Sequence, residues 1–158
     1  MVKIIFDKMH GCGNDFVIID QRTSYTNIEP RHIKKLANRR TGIGFDQLIL
    51  INGSSVADCG IEIYNQDGSL AMACGNATRC VAWLTNATTI ETASGILSSE
   101  VKKNGPVKIS MGNPVIHDHE ILLEGLELIT KPVSISMGNP HLILIVKDIN
   151  NMDLVEIA

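Results

Sequence analysis

Cys74 is followed by Gly75-Asn76 and then by an apolar run, Ala77-Thr78-Arg79-Cys80-Val81-Ala82-Trp83-Leu84. This order places a thiol at the amino end of a helix, beside the Gly75 and Asn76 N–H groups that no helical carbonyl satisfies. Those amides and the helix macrodipole favour negative charge, so the position suits a substrate carboxylate and a thiolate side by side. A thiolate there can serve as a base on the α-carbon of an amino acid, with the substrate carboxylate taking up charge as an enediolate. Just upstream, Tyr64-Asn65-Gln66-Asp67-Gly68-Ser69 reads as a strand end entering a tight turn, with Gly68 able to take a positive φ.

The elements that must position this thiol follow from the pattern. Val2–Lys8 and Phe16–Asp20 read as strands around a Gly-rich loop, His10-Gly11-Cys12-Gly13-Asn14-Asp15. Glu29–Asn38 reads as a short helix with Pro30 in its first turn and an apolar face of Ile33, Leu36 and Ala37. Thr41–Gly44 is a turn into the strand Gln47–Ile51, and Gly60–Asn65 is a strand with Ile61 and Ile63 alternating against Glu62 and Tyr64. The helix Asn76–Leu84 has almost no polar face and is expected to be buried and wrapped by strands. Short β segments follow at Thr88–Thr92, Ile96–Val101, Val107–Met111, Ile121–Leu123, Val133–Ser136 and Leu142–Val146, and Asp153 is placed to cap a further helix. The phrase Ile-Ser-Met-Gly-Asn-Pro occurs at 109–114 and again at 135–140. It implies either a duplicated, pseudo-symmetric architecture or two strand ends that each run into a Gly-Asn-Pro turn.

With 158 residues, 44% hydrophobic and 20% charged, the chain fits one domain or two small ones of a soluble protein. A net charge of −3, no long basic run and few aromatics argue against a nucleic-acid partner. No apolar run is long enough to span a bilayer, and the N-terminal residues are broken too early by charge for a signal peptide, so a cytoplasmic location is expected. In that compartment Cys12, Cys59, Cys74 and Cys80 are free thiols, metal ligands or catalytic groups. None forms a C-x-x-C pair, and no metal site is expected. Cys59 and Cys80 read best as buried apolar residues. Cys80 lies six residues past Cys74, about 9 Å of helical rise, too far for a disulfide. Asn14 and Asn65, taken alone, are ordinary turn residues. His10, His32, His117 and His119 carry no clear ligand pattern, although His117 and His119 alternate on one strand face. The tract Arg31-His32-Ile33-Lys34-Lys35 with Arg39-Arg40 reads as a solvated helix face.

Five blocks together resemble the diaminopimelate epimerase family. They are Lys8-Met9-His10-Gly11-Cys12-Gly13-Asn14-Asp15-Phe16; Thr41-Gly42-Ile43-Gly44-Phe45-Asp46-Gln47; Ile63-Tyr64-Asn65 with Asp67-Gly68-Ser69; Cys74-Gly75-Asn76 with Arg79-Cys80; and Ser136-Met137-Gly138-Asn139-Pro140-His141. The resemblance runs from residue 8 to residue 141. It implies an α+β fold in which a curled, mostly antiparallel sheet surrounds a buried central helix, in a pseudo-symmetric two-domain family with the active site between the halves. Residues 1–115 would form the domain carrying the first catalytic cysteine, and 116–158 would begin the second domain.

The activity implied is that of an isomerase without pyridoxal phosphate, metal or other cofactor. It interconverts LL- and meso-diaminopimelate by two bases, on the route to lysine and peptidoglycan precursors. Cys74 would be the catalytic base. Asn14, Gln47, Asn65, Gly75, Asn76 and Asn139 would bind substrate, and His141 would tune the thiol–thiolate balance of Cys74. Arg79 would tie strands together rather than touch substrate. The small molecule diaminopimelate is the expected partner, with a homodimer open as the assembly.

The departures are specific. The family's Glu-Arg-Gly segment and second catalytic cysteine do not occur before Ala158, so an N-terminal part that is inactive alone is expected. The stretches from Leu84 to Thr88 and from His117 to Lys131 are short for the family. Ala77 stands where Gly is commoner. Cys12 occupies a usually apolar position and is expected to pack. Two rivals remain open: a racemase of the same fold acting on proline, and a non-enzymatic module in which the four thiols and His10 bind metal or sense redox state.

Overall fold

The computed structural model describes residues 3–102, 105–118, 121, 123 and 127–151. The chain divides into two compact units, Met1–Met111 and Gly112–Ala158. The first unit is built on one sheet. Its strands are β1 (Asp7–Gly11), β2 (Asn14–Asp20), β3 (Gln47–Asn52), β4 (Cys59–Asn65), β5 (Leu70–Ala71), β6 (Thr89–Thr92), β7 (Gly95–Val101) and β8 (Val107–Ile109). Their order is β1-β2-β3-β4-β6-β7-β8, with β5 added on β4. The β2/β3 and β4/β6 neighbours are parallel and the other pairs antiparallel. Helices α1 (Pro30–Ala37) and α2 (Gly75–Thr85) complete the unit.

The central strands are buried on both faces, and the side-chain period of two divides them between two cores. Phe16, Ile18, Ile49, Ile51, Ile61 and Ile63 face one side and pack with Ala77, Cys80, Val81 and Ala82 of α2. Val17, Ile19, Leu48, Leu50 and Phe45 face the other and pack with Ile33 and Ala37 of α1. Helix α2 touches β1 and β2 at one end of the strand order and β7 and β8 at the other. A flat sheet cannot reach one helix from both ends, so the sheet curls around α2 as the sequence implied. Trp83 is the exception to the expected all-round burial: it is 59% exposed, because the inward arc of α2 is filled by Ala77, Thr78, Cys80, Val81 and Ala82.

Several boundaries move. β1 begins at Asp7 rather than Val2, because its pairing with β2 starts at Asp7↔Ile18. The expected six-residue loop shrinks to Cys12-Gly13, with Gly11 paired to Asn14. Both turn residues have positive φ (56° and 87°), the requirement of a two-residue hairpin turn of the primed type. Cys12 is therefore exposed at the hairpin tip instead of packed. Glu29 and Asn38 cap α1 rather than belonging to it.

The second unit is a three-stranded antiparallel sheet: β9 (Val115–His117), β10 (Val133–Ser136) and β11 (Pro140–Ile143), ordered β11-β10-β9. β10 lies where expected. β11 begins at Pro140, a tolerated strand start, and ends before Val146, which instead bridges Leu128. Ile121 and Leu123 are not in a strand, Leu122 lies outside the described residues, and a short 3₁₀ turn spans Ile149–Asn151. Asp153 also lies outside them. β5 and β9 are too short and exposed to have shown periodicity. In the two copies of the repeated phrase Ile109 and Ser136 end β8 and β10, and Gly112 and Gly138 both have positive φ (77° and 90°).

Candidate active site

Asn14, Gln47 and Asn65 sit at one end of the first sheet. Gln47 opens β3 opposite Asn65, the last residue of β4, and it also pairs with Phe16, two residues past Asn14. Beyond Asn65 the chain turns tightly: the Gly68 amide donates to the Asn65 carbonyl at 2.9 Å, and the Asn65 amide to Ser69. Gly68 has φ 83°, and a Cβ there would lie 2.7 Å from Pro30 Cβ, so both conformation and space demand glycine. The turn leads through β5 to Cys74.

Cys74 is the N-cap of α2, in extended conformation. Its carbonyl accepts from the Thr78 amide at 3.0 Å and the buried Thr78 hydroxyl at 2.9 Å, which fixes the cap. Its side chain is half-buried, packed on one side against the α2 core. The Asn14 Nδ2 group donates toward Cys74 Sγ at 3.7 Å, joining residues 60 positions apart. The β1–β2 hairpin reaches this point because Gly11 carries no side chain: a Cβ there would approach Asn76 Cβ to 3.2 Å. A side chain at Gly75 would meet Met111 Sδ at 3.2 Å, so the first turn of α2 is closely lined.

Neighbouring groups are also engaged. Arg79 Nη2 donates to Asn76 Oδ1 and lies 3.8 Å from Cys12 Sγ, so Arg79 links the helix start to the hairpin tip rather than strand to strand. Gln47 Nε2 donates to Asn65 Oδ1 at 3.1 Å, and Asn65 Nδ2 donates to Ser69 Oγ at 3.1 Å. Gln47 Oε1 is buried with no partner among the described residues. An orphan acceptor of this kind costs free energy unless an N–H donor arrives, and a substrate ammonium is such a donor.

The charged groups flank these amides. The Arg39 guanidinium, with Lys8 adding to it, holds the Asp15 carboxyl well below the usual carboxylate range against the opposing effect of burial. Burial, with the Glu62 carboxylate accepting its hydroxyl at 2.8 Å, pushes the Tyr64 phenol up to about 12. Burial pushes the Cys59 and Cys80 thiols up, consistent with packed rather than reactive groups.

Six of the expected site residues therefore gather in the first unit: Asn14, Gln47, Asn65, Cys74, Gly75 and Asn76. Asn139 and His141 belong to the second unit, on the β10–β11 hairpin, where His141 Nδ1 donates to the Asn139 carbonyl at 3.0 Å. His32 Nδ1 accepts from the Glu29 amide at 3.3 Å, a capping role. His119 lies outside the described residues. The Asp15, Asp46 and Arg39 ion cluster beside the site was not anticipated; Asp15 and Asp46 stood within the quoted blocks, but Arg39 read only as part of a solvated helix face.

Residues 6–117 match the sequence profile of the family described as Diaminopimelate epimerase. The chain belongs to that family. Over 160 residues it is 41% identical to a protein named diaminopimelate epimerase from Zymomonas mobilis, covering 94% of this chain and 59% of that protein. The chain spans between 42% and 63% of the length of the first curated relatives it matches. The diaminopimelate epimerase fold is also found in two solved structures. A phenazine biosynthesis protein of the PhzF family from Bacillus anthracis matches with TM-score 0.58 and 24% identity over 93% of this chain and 56% of that one. A hydroxyproline epimerase from Agrobacterium vitis, solved with trans-4-OH-L-proline, matches with TM-score 0.59 and 16% identity over 88% and 50%. Among the described residues no three His, Cys, Asp or Glu side chains group as a metal site, and no helix is long and apolar enough to cross a membrane.

Proposed function

We propose that this chain supplies the first thiol of a cofactor-independent epimerase that interconverts LL- and meso-diaminopimelate. The observation that carries the reading is the half-buried Cys74 at the N-cap of α2, with the Asn14 amide 3.7 Å from its sulfur. As thiolate, Cys74 removes the α-hydrogen as a proton from one face. The C–H electron pair moves into the substrate carboxylate, which becomes an enediolate, and the thiol formed keeps the proton. A second acid delivers a proton to the opposite face and inverts the centre. The resemblance assigns that acid to a cysteine of the family's second half.

The Gly75 and Asn76 amides and the α2 dipole oppose the charge growing on the carboxylate oxygens. The Asn14 side-chain N–H reaches the Cys74 sulfur, and Gln47 Oε1 accepts from the substrate ammonium. Asn65 is held by Gln47 and Ser69 and lines the same end of the sheet. Asn139 and His141 are assigned, by the resemblance, to substrate binding and to tuning Cys74. Residues 1–115 are taken as the domain of the first cysteine and 116–158 as the start of the second. A cytoplasmic, homodimeric enzyme is the setting that fits this reading.

The family match favours diaminopimelate over proline as substrate. The thiol–metal module is disfavoured by position: Cys59 and Cys80 are buried in the core while Cys12 is at an exposed turn. The test is α-hydrogen exchange by the full-length protein in D₂O, with LL-diaminopimelate and with L-proline as separate substrates. Deuterium at the α-carbon of diaminopimelate alone, lost in Cys74→Ala, is expected. Exchange on proline alone, or undiminished exchange in Cys74→Ala, would sink the assignment.

A further inference from the structure

Asn14 and Gln47 belong to different strands, and the residue beside each is an aspartate. Asp15 and Asp46 grip one another. The Asp15 amide donates to Asp46 Oδ2 at 3.0 Å, and the Asp46 amide donates to Asp15 Oδ1 at 3.0 Å and to the Asp15 carbonyl at 2.9 Å. Two carboxylates brought so close repel. Arg39 lies against both. Its Nη2 is 2.6 Å from Asp15 Oδ1 and 2.9 Å from Asp46 Oδ1, and its Nη1 is 3.0 Å from Asp15 Oδ2. Lys8 Nζ adds a contact at 2.6 Å to Asp15 Oδ2 and one to the Gly44 carbonyl. The Asp15 side chain is only 19% exposed. The loop after α1 is built on the stem of the same arginine: a Cβ on Gly44 would lie 2.8 Å from Arg39 Cγ.

We infer that Arg39 is a positioning residue for substrate binding: by bridging Asp15 and Asp46 it sets the spacing between the Asn14 and Gln47 side-chain amides. Arg39 does not touch substrate. It acts through the two strand ends, and a planar fork able to serve two carboxylates at once is what the place requires. Lysine, a point charge on a flexible stem, lacks that pre-organised planar fork. The effect on turnover rests on the epimerase reading above; the effect on geometry does not.

The experiment compares Arg39→Met, Arg39→Lys and the control Arg31→Met in the full-length protein. The control removes the exposed pair between Arg31 and Glu29. Two quantities are read: kcat and KM for diaminopimelate, and the NMR resonances of the Asn14 and Gln47 side-chain amides. Misplaced binding groups should lower kcat/KM for Arg39→Met about 10- to 100-fold, chiefly through KM. Arg39→Lys should recover part of the loss, and Arg31→Met should behave as wild type. The Asn14 and Gln47 amide resonances should move in Arg39→Met while those of Asn139 stay. A merely structural role would lower the melting temperature and leave KM and those resonances in place; that result would overturn the inference. If Arg39→Met does not fold, Arg39→Lys carries the same test, and wild-type KM with unmoved amides would refute it. Wild-type protein inactive on diaminopimelate would instead count against the epimerase reading, and the amide resonances would still decide the role of Arg39.

Discussion

Two hairpins each present an asparagine assigned to substrate, and they are held in different ways. In β1–β2 the turn is two residues long, Asn14 is half-buried, and the next strand passes through Phe16, Val17, Ile18 and Ile19, all buried. Ion pairs and the Cys74 contact lock the tip from several directions. In β10–β11 the turn Met137-Gly138-Asn139 is joined by a 3.1 Å bond from the Met137 amide to the Asn139 carbonyl, which also accepts from His141 Nδ1 at 3.0 Å. Asn139 and every residue of β11 are exposed, and none of the described residues of 112–150 is buried. A side chain is placed to a fraction of an ångström only where packed neighbours leave it one position. The first hairpin has that support from its own unit; the second takes its shape from local backbone bonds.

The largest effect should separate the chemistry from everything that supports it. Cys74→Ala in the full-length protein should lower α-hydrogen exchange by about 10³-fold or more, the scale of a lost general base. Cys74→Ser should keep a small fraction, since an alcohol is a weaker base. Next comes packing. Ile49 is fully buried between β3 and α2, so Ile49→Ala should cost about 2–5 kcal/mol in urea unfolding. Ile143 in β11 is 42% exposed, and Ile143→Ala should change stability by less than about 1 kcal/mol. Equal losses at the two positions would erase the contrast between the hairpins.

The parts visible in the sequence were those governed by periodicity and turn chemistry. Alternation in Gly60–Asn65 located β4 and its buried Ile61 and Ile63, and the apolar run after Cys74 located α2. Hydrophobicity alone could not show that α2 has one outward arc, so Trp83 was misplaced. Nor could it show that Cys12 and Gly13 both take positive φ, which turns a six-residue loop into a two-residue one and exposes the thiol. The Arg39 cluster was hidden for a further reason: its members come from positions 8, 15, 39 and 46, and nothing local links them. For the site, residue types and order brought out Cys74 and its flanking Gly and Asn, whereas the orphaned Gln47 Oε1 is a property of the folded chain alone.

The ion pairs make the first hairpin acid-sensitive. The folded-state pKa of Asp15 is depressed, chiefly by Arg39, so its contribution is fully present above the unfolded carboxylate value of about 3.9 and is lost as pH falls through the folded one. Wild-type protein should therefore exceed Asp15→Asn in urea midpoint at pH 7. The difference should narrow progressively below about pH 4. A gap that stayed constant down to pH 2 would mean that the charge of Asp15 contributes nothing and that only its shape matters.

The smallest effect concerns the turns themselves. Cys12 holds φ 56° in the first turn, a conformation that costs an L-residue with an ordinary side chain but suits asparagine, and Asn-Gly is the favoured pair for a two-residue hairpin. Cys12→Asn should therefore raise stability by about 0.5 kcal/mol, with the hairpin register kept. In the second turn Gly138 holds φ 90°, so Gly138→Ala should lower stability by about 1 kcal/mol, because the added Cβ must bear the left-handed backbone. Paired melting curves of the two variants would measure both. A destabilising Cys12→Asn would show that the 3.8 Å approach of Arg79 to the Cys12 sulfur outweighs turn preference, and that the tip of the first hairpin is held by its contact with α2 more than by its own backbone.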